Sequence, residues 1–227
     1  MTHPNAALLF AAGLGTRMRP LTDDRPKPLI EVAGKPLIDH ALALVDPLGL
    51  ARVVVNTHYQ GEMIARHLQD RDITISHETP EALETGGGLK HALPHLGSGP
   101  VFTLNTDAVW RGPNPLQSLQ DAWDPGRMDA LLLCLPKENA RGHKGQGDFL
   151  LDAEGRLSQG PGLVYSGVQV IKTEGVAAIP QQAFSLWDHW RPMLKAGRMF
   201  GLAYDGQWCD VGYPEAIALA EEMLADV

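Results

Sequence analysis

The residues of this chain best suited to chemistry sit where short apolar runs end. Ala7-Leu8-Leu9-Phe10-Ala11 leads into Gly13 and Gly15, followed by Arg17, Arg19, Arg25 and Lys27. Glycines let several backbone N–H groups converge on one anion without interference from a Cβ. Four cations within eleven residues are unusual in a chain of formal net charge −8, and together with the glycines they predict a phosphate-binding loop. Two familiar loops are excluded: the dinucleotide fingerprint needs glycine where Met18 stands, and Gly-Lys-Ser/Thr occurs nowhere. Pro26 and Pro28 flank Lys27 and predict a rigid, extended, non-helical segment around it.

Further along, Glu84-Thr85-Gly86-Gly87-Gly88 precedes a helical pattern. Such a segment either lets a flat base lie on bare backbone beside free helix N–H groups, or is simply a glycine-rich helix start. Leu104-Asn105-Thr106-Asp107 closes a strand, where an acid faces the ligand cleft of an open sheet. One or two carboxylates plus substrate phosphates satisfy Mg²⁺, so Asp107 is half of a possible site. Asp210, two residues before Gly212, reads equally as a turn residue. His91 and His95 are four apart, but Pro94 is expected to break the helix between them and so to preclude a metal pair. Trp187 and Trp190, with Phe184, Leu186 and Leu194, read as helix packing, and Trp110 as a possible pocket wall. No Gly-x-Ser-x-Gly elbow occurs, and no Ser or Cys nucleophile with a partner base can be assigned.

The run from Leu9 to Thr22, continued by Pro26-Lys27-Pro28-Leu29, resembles the signature of the sugar-1-phosphate nucleotidylyltransferase family, and weaker similarity covers essentially the whole chain. The resemblance implies that Ala11, Ala12, Gly13, Gly15 and Thr16 bind the nucleotide, with Arg17 on the triphosphate and Lys27 at the reacting phosphates. It implies that Glu78 reads the base edge and that Thr85, Gly86 and Gly87 contact base and ribose. Asn105, Asp148, Ser166 and Gly167 fall where the family holds its sugar. Asp210 would complete a Mg²⁺ site with Asp107. Two departures stand out. Thr106 replaces the family's usual glycine before the metal aspartate, which is expected to narrow the pocket. The family's Glu-Lys-Pro lysine, which touches the sugar phosphate, is missing: between Asp148 and Tyr165 the only cation is Arg156.

The reaction so implied is direct in-line attack of a sugar 1-phosphate oxygen on the α-phosphorus of an NTP, expelling pyrophosphate. Phosphate oxygens are already ionised at neutral pH, so neither general base nor covalent intermediate is required, and catalysis is positioning and charge stabilisation. UTP is the expected nucleotide; guanylyl transfer to mannose 1-phosphate and thymidylyl or uridylyl transfer to glucose 1-phosphate stay open. Silent regulatory relatives lose the loop arginine or a metal aspartate, whereas Arg17, Lys27, Asp107 and Asp210 are all present.

These residues need a frame. Apolar runs at 7–11, 52–56, 73–76 and 101–104 alternate with helical patterns at 36–45, 60–68 and 85–93. That predicts an α/β, Rossmann-like, mostly parallel sheet with helices on both faces, as one domain over 1–227. Strands at 130–135 and 167–171, a weaker one at 149–151, and helices at 183–196 and 214–224 follow. Glycine- and proline-dense stretches at 111–115, 142–147 and 160–162 are expected to be active-site loops. Hydrophobic residues at 44% and charged ones at 20% support a sizeable core. The acidic balance argues against nucleic acid, which needs a basic face. Cys134 and Cys209 form no metal or disulfide pattern, and Cys134 is expected in a buried strand. No leader pattern opens the chain and no apolar run nears the length of a membrane span, so a cytoplasmic monomer or small homo-oligomer is expected.

Overall fold

In a computed structural model, residues 3–225 are described. The chain order begins with β1 (Ala6–Phe10), the two-residue strands β2 (Glu31–Val32) and β3 (Lys35–Pro36), α1 (Leu37–Val45), β4 (Arg52–Thr57), α2 (Gly61–His67), β5 (Thr74–His77) and α3 (Glu84–Leu96). It continues through β6 (Val101–Asn105), β7 (Ala108–Arg111), α4 (Pro115–Ala122), β8 (Ala130–Leu135), β9 (Ala140–Arg141), β10 (Phe149–Leu151) and β11 (Leu157–Gln159). The last elements are β12 (Val164–Ile171), α5 (Trp187–Lys195), β13 (Met199–Ala203), β14 (Gln207–Asp210) and α6 (Ala216–Ala225).

Seven strands make the main sheet in the order β13-β8-β12-β6-β1-β4-β5. All neighbours are parallel except β12, which is antiparallel to both β6 and β8. The pleat sorts the core onto two faces. Leu131, Leu133 and Leu135 of β8 join Ile38, Leu42, Ile64, Leu116 and Leu119 beneath α1, α2 and α4. The alternating Ala130, Leu132 and Cys134 join Leu89, Leu96, Trp190 and Met193 beneath α3 and α5. Strands buried on both faces are apolar at every position, as Ala130–Leu135 is. Burial pushes the Cys134 thiol up to about 12.

A smaller sheet, β7-β14-β9, stands beside the main one and packs on α6 through Val109, Cys209, Ala220 and Met223. Its β14 has no apolar signature in the sequence. Neither does α4, which begins inside the stretch expected as a loop: Asn114 is its N-cap, accepting from Leu116 N at 2.9 Å, and Pro115 opens the helix. The 111–115 stretch therefore lies at the far end of β7 from Asp107, against Tyr204 and Gly206, and is not an active-site loop. Pro94 does not break α3, which runs through it to Leu96, and His91 Nε2 lies 3.2 Å from the His77 carbonyl. Among the described residues no group of three or more His, Cys, Asp or Glu is placed to hold a metal, and no helix is long and apolar enough to cross a membrane.

One irregularity bears on the site. Tyr165 pairs with Cys134 but Gln169 pairs with Leu132, so β12 carries extra residues there. Ser166 Oγ donates to the Leu133 carbonyl at 2.7 Å, and Gly167 adopts φ +82°.

Candidate active site

The site is assembled along one edge of the sheet, where β1, β4, β5 and β6 reach their carboxyl ends, as an open α/β sheet dictates. Two pockets of about 290 and 270 Å³ adjoin there and share Asn105 and Asp107. The first is bounded by Ala11, Ala12, Gly13, Lys27, Glu78 and Thr85. The second is bounded by Arg17, Asp210, His143, Asp148 and an aromatic wall.

The loop after β1 leaves the sheet with Gly13 exposed and nothing within 4 Å of where a Cβ would project. Gly15 has φ +64°, and a Cβ there would lie 3.0 Å from Thr22 Cγ2; the Thr22 hydroxyl donates to its carbonyl at 2.9 Å. Thr16–Met18 forms one 3-10 turn, with Thr16 and Arg17 exposed and Met18 anchored in the core. Of the four cations, Arg19 and Arg25 lie against the surface acids Asp23 and Asp24, while Arg17 and Lys27 face the pockets. Pro26 is extended as expected, but Lys27–Leu29 closes a 3-10 turn because Pro28 suits its first positions. Lys27 Nζ donates to Asp107 Oδ2 at 2.7 Å.

Asp107 and Asp210 are brought side by side by the small sheet. Asp210 pairs with Ala108, and Val211 N donates to the Asp107 carbonyl at 2.8 Å. Burial first, then the charge of Asp107, pushes the Asp210 carboxyl above its ordinary value, while Lys27, Arg17 and His143 pull it down. Two carboxylates with room for phosphate oxygens fit the donor set Mg²⁺ prefers. Thr106 borders the first pocket, and its hydroxyl donates to the Phe10 carbonyl at 2.7 Å.

Glu78 and Asn56 form a buried bridge, with residual exposures of 1% and 2%. Asn56 accepts from Ala11 N and donates to Glu78 Oε1, and Glu78 Oε2 accepts from Leu83 N, each at 2.7 Å. Both residues still line the first pocket. The open glycine face expected at Gly86 and Gly87 is absent. A Cβ on Gly86 would meet the Phe184 ring at 2.5 Å, one on Gly87 would meet the Gln182 carbonyl at 2.3 Å, and both amides donate to the Phe184 carbonyl. These glycines admit the 182–184 segment, and Glu84 and Thr85 face the cleft instead, with Thr85 Oγ1 accepting from Leu186 N.

In the second pocket Asp148 Oδ2 accepts from Tyr165 N at 2.9 Å, which aims the carboxylate inward. Ser166 lines the pocket, but its hydroxyl is committed to Leu133. Gly167 is required by Asn105, whose side chain would lie 2.7 Å from a Cβ there. The sequence reading missed the aromatic wall. Trp187 and Trp190 pack in the core with Phe149 and Tyr165, as expected, yet all four also border the second pocket. Trp208 borders it too, whereas Trp110 lies behind Trp208 against Tyr204 and does not.

Comparison with known proteins bears on this arrangement. Residues 7–182 match the MobA-like NTP transferase domain. The chain is 43% identical to an N-acetylmuramate alpha-1-phosphate uridylyltransferase of Caulobacter vibrioides, over 98% of each chain. It is 37% identical to a protein of the same description from Neisseria meningitidis serogroup B, over 94% of this chain and 97% of that one. In fold it is similar to HddC from Yersinia pseudotuberculosis complexed with GMP-PN, with TM-score 0.79 and 21% identity over 97% of this chain and 99% of that one.

Proposed function

This chain belongs to the MobA-like NTP transferase family, and we propose that it transfers uridylyl from UTP to N-acetylmuramate α-1-phosphate, releasing pyrophosphate. One observation carries the reading: two adjoining pockets meet at Asp107, with Lys27 and Asp210 at the junction. The donor NTP occupies the first pocket and the acceptor the second, so the α-phosphorus and the attacking oxygen meet between them. Gly13 and Gly15 offer backbone amides to the triphosphate, and Arg17 stabilises the departing pyrophosphate. Lys27 leaves Asp107 to screen the two anionic reactants from each other. Asp107 and Asp210 would hold Mg²⁺, whose contribution is charge neutralisation at the α-phosphate and the sugar phosphate.

Base and sugar have separate support. A carboxylate only accepts hydrogen bonds, so Glu78 suits a base edge presenting an N–H, as uracil does at N3. Both full-length relatives described above are uridylyltransferases by name. The aromatic wall offers apolar faces to the pyranose and its N-acetyl group, with Asn105 and Asp148 for hydroxyls. A cytoplasmic setting, where NTPs and sugar phosphates are available, and a monomer or small homo-oligomer belong to the same proposal.

Pyrophosphate release tests this with each NTP, a panel of sugar 1-phosphates, and Mg²⁺ or EDTA. Release is expected with UTP and N-acetylmuramate 1-phosphate and to vanish with EDTA. Asp107→Asn or Arg17→Ala should lower kcat by about 10²–10³. No release with any pair, or full turnover by Asp107→Asn at saturating Mg²⁺, defeats the assignment.

A further inference from the structure

We propose that His143, beside Trp208, binds an anionic oxygen of the acceptor, a role that rests on the substrate reading above. The acceptor must bring its phosphate into a pocket that already holds Asp107 and Asp210. Among the described residues, the basic side chains bordering that pocket are Arg17 and His143. Arg17 is assigned to the pyrophosphate. Arg156, the only cation between residues 148 and 165, lies against Asp152 and Glu154 on the β10-β11 hairpin. Lys144 is turned aside, its Nζ 3.8 Å from the centroid of the Tyr213 ring.

Local structure delivers His143 to this corner. β9 pairs in parallel with β14, so the chain leaving Arg141 must cross Asp210. Gly142, at φ +77°, crosses so closely that a Cβ would lie 2.3 Å from the Asp210 carbonyl oxygen. Residue 143 then stands in the pocket, its ring 6.4 Å from that of Trp208. Two buried polar atoms here have no protein partner: His143 Nε2 and Trp208 Nε1. A buried donor left unpaired is costly, and an indole N–H can only donate, so it calls for an acceptor. Gly145 covers His143 Nε2 with bare backbone, since a Cβ there would lie 2.4 Å from the nitrogen. A modest shift of the glycine-rich 142–147 segment lets one anionic oxygen take hydrogen bonds from both rings. That oxygen belongs to the sugar phosphate or to the lactyl carboxylate of N-acetylmuramate.

The test compares wild type, His143→Ala and Trp208→Phe, the last keeping a ring while deleting the N–H. Pyrophosphate release is measured with UTP, Mg²⁺ and either N-acetylmuramate 1-phosphate or N-acetylglucosamine 1-phosphate, which lacks the lactyl group. Acceptor binding by wild type and His143→Ala without NTP is read from tryptophan fluorescence, with Trp187, Trp190 and Trp208 as reporters in the pocket. For His143→Ala, acceptor KM and Kd should rise about 10- to 100-fold while the KM for UTP moves less than about twofold. Trp208→Phe should raise acceptor KM in the same direction. An equal rise for both acceptors assigns the oxygen to phosphate, and a rise confined to N-acetylmuramate assigns it to carboxylate; either supports the proposal. Unchanged acceptor KM and Kd, or a parallel rise in the KM for UTP with a lowered Tm, overturns it. Wild-type protein that neither binds nor uses either acceptor overturns the substrate reading and this inference together.

Discussion

Lys27 and Asp107 neutralise each other across 80 residues of sequence, and that contact ties the turn after Pro26 to the end of β6 where the two pockets meet. Each was legible from its surroundings, one from flanking prolines and one from a strand end. Their meeting was not, because nothing local in either segment encodes the other. Glycines divide in the same way. The sequence marked Gly13 and Gly87 alike as backbone exposed to nucleotide, but a Cβ on Gly13 meets nothing within 4 Å while one on Gly87 strikes the Gln182 carbonyl. Gly87→Ala should therefore lower stability by about 1–3 kcal/mol, because the obstacle is backbone and cannot rotate away. Gly13→Ala should leave the melting temperature almost unchanged and raise the KM for UTP. Thermal denaturation beside steady-state kinetics separates the two, and a fully stable Gly87→Ala would refute the packing role.

At the scale of elements, the alternation of apolar runs with helical stripes is enough to place β1, β4, β5, β6 and β8 together with α1, α2 and α3. What escaped was short or served two purposes. β7 and β14 are four residues each, too brief for a periodic signal, and they are the strands that set Asp107 beside Asp210. Trp187 and Trp190 showed helical spacing, which reports burial but not that the buried rings also wall a pocket. The Asn56–Glu78 bridge joins the ends of β1, β4 and β5 to the start of α3 through three hydrogen bonds. Asn56→Ala would orphan the Ala11 N–H and one Glu78 oxygen, at a cost of about 1–3 kcal/mol. Urea denaturation should show it, and the donor KM should rise with it because Ala11 opens the phosphate loop. A variant as stable as wild type would mean that water replaces the bridge.

The whole molecule is acidic, its cleft sets Arg17 and Lys27 among Glu78, Glu84, Asp107, Asp148 and Asp210, and a separate network pins the opposite edge. Asp129, before β8, accepts from Lys172 after β12 and from Arg198 before β13, both at 2.8 Å. Burial alone would raise the Asp129 carboxyl, but the hydrogen bonds from Arg198 and Lys172 outweigh it and hold it below its ordinary value. A carboxyl depressed in the folded state stabilises fully above the unfolded value of about 3.9 and loses that contribution as pH falls through the folded value. Asp129→Asn should thus be less stable than wild type by about 1–2 kcal/mol at neutral pH, a partly exposed network being worth less than a buried one. The gap should close in strong acid, and stability curves at several pH values would reveal a gap that instead stays constant. At the cleft edge, the interruption of β12 at Ser166–Val168 has a different consequence. On one side of it β1, β4, β5 and β6 run in unbroken parallel register and border the pocket proposed for the nucleotide. On the other side, Tyr165 and the tryptophans shape the chamber proposed for the acceptor. Trp187 and Trp190 stand on α5, apart from β7 and β14 that set Asp107 beside Asp210, so substitution there can reshape the chamber for another sugar while leaving the proposed transfer chemistry in place.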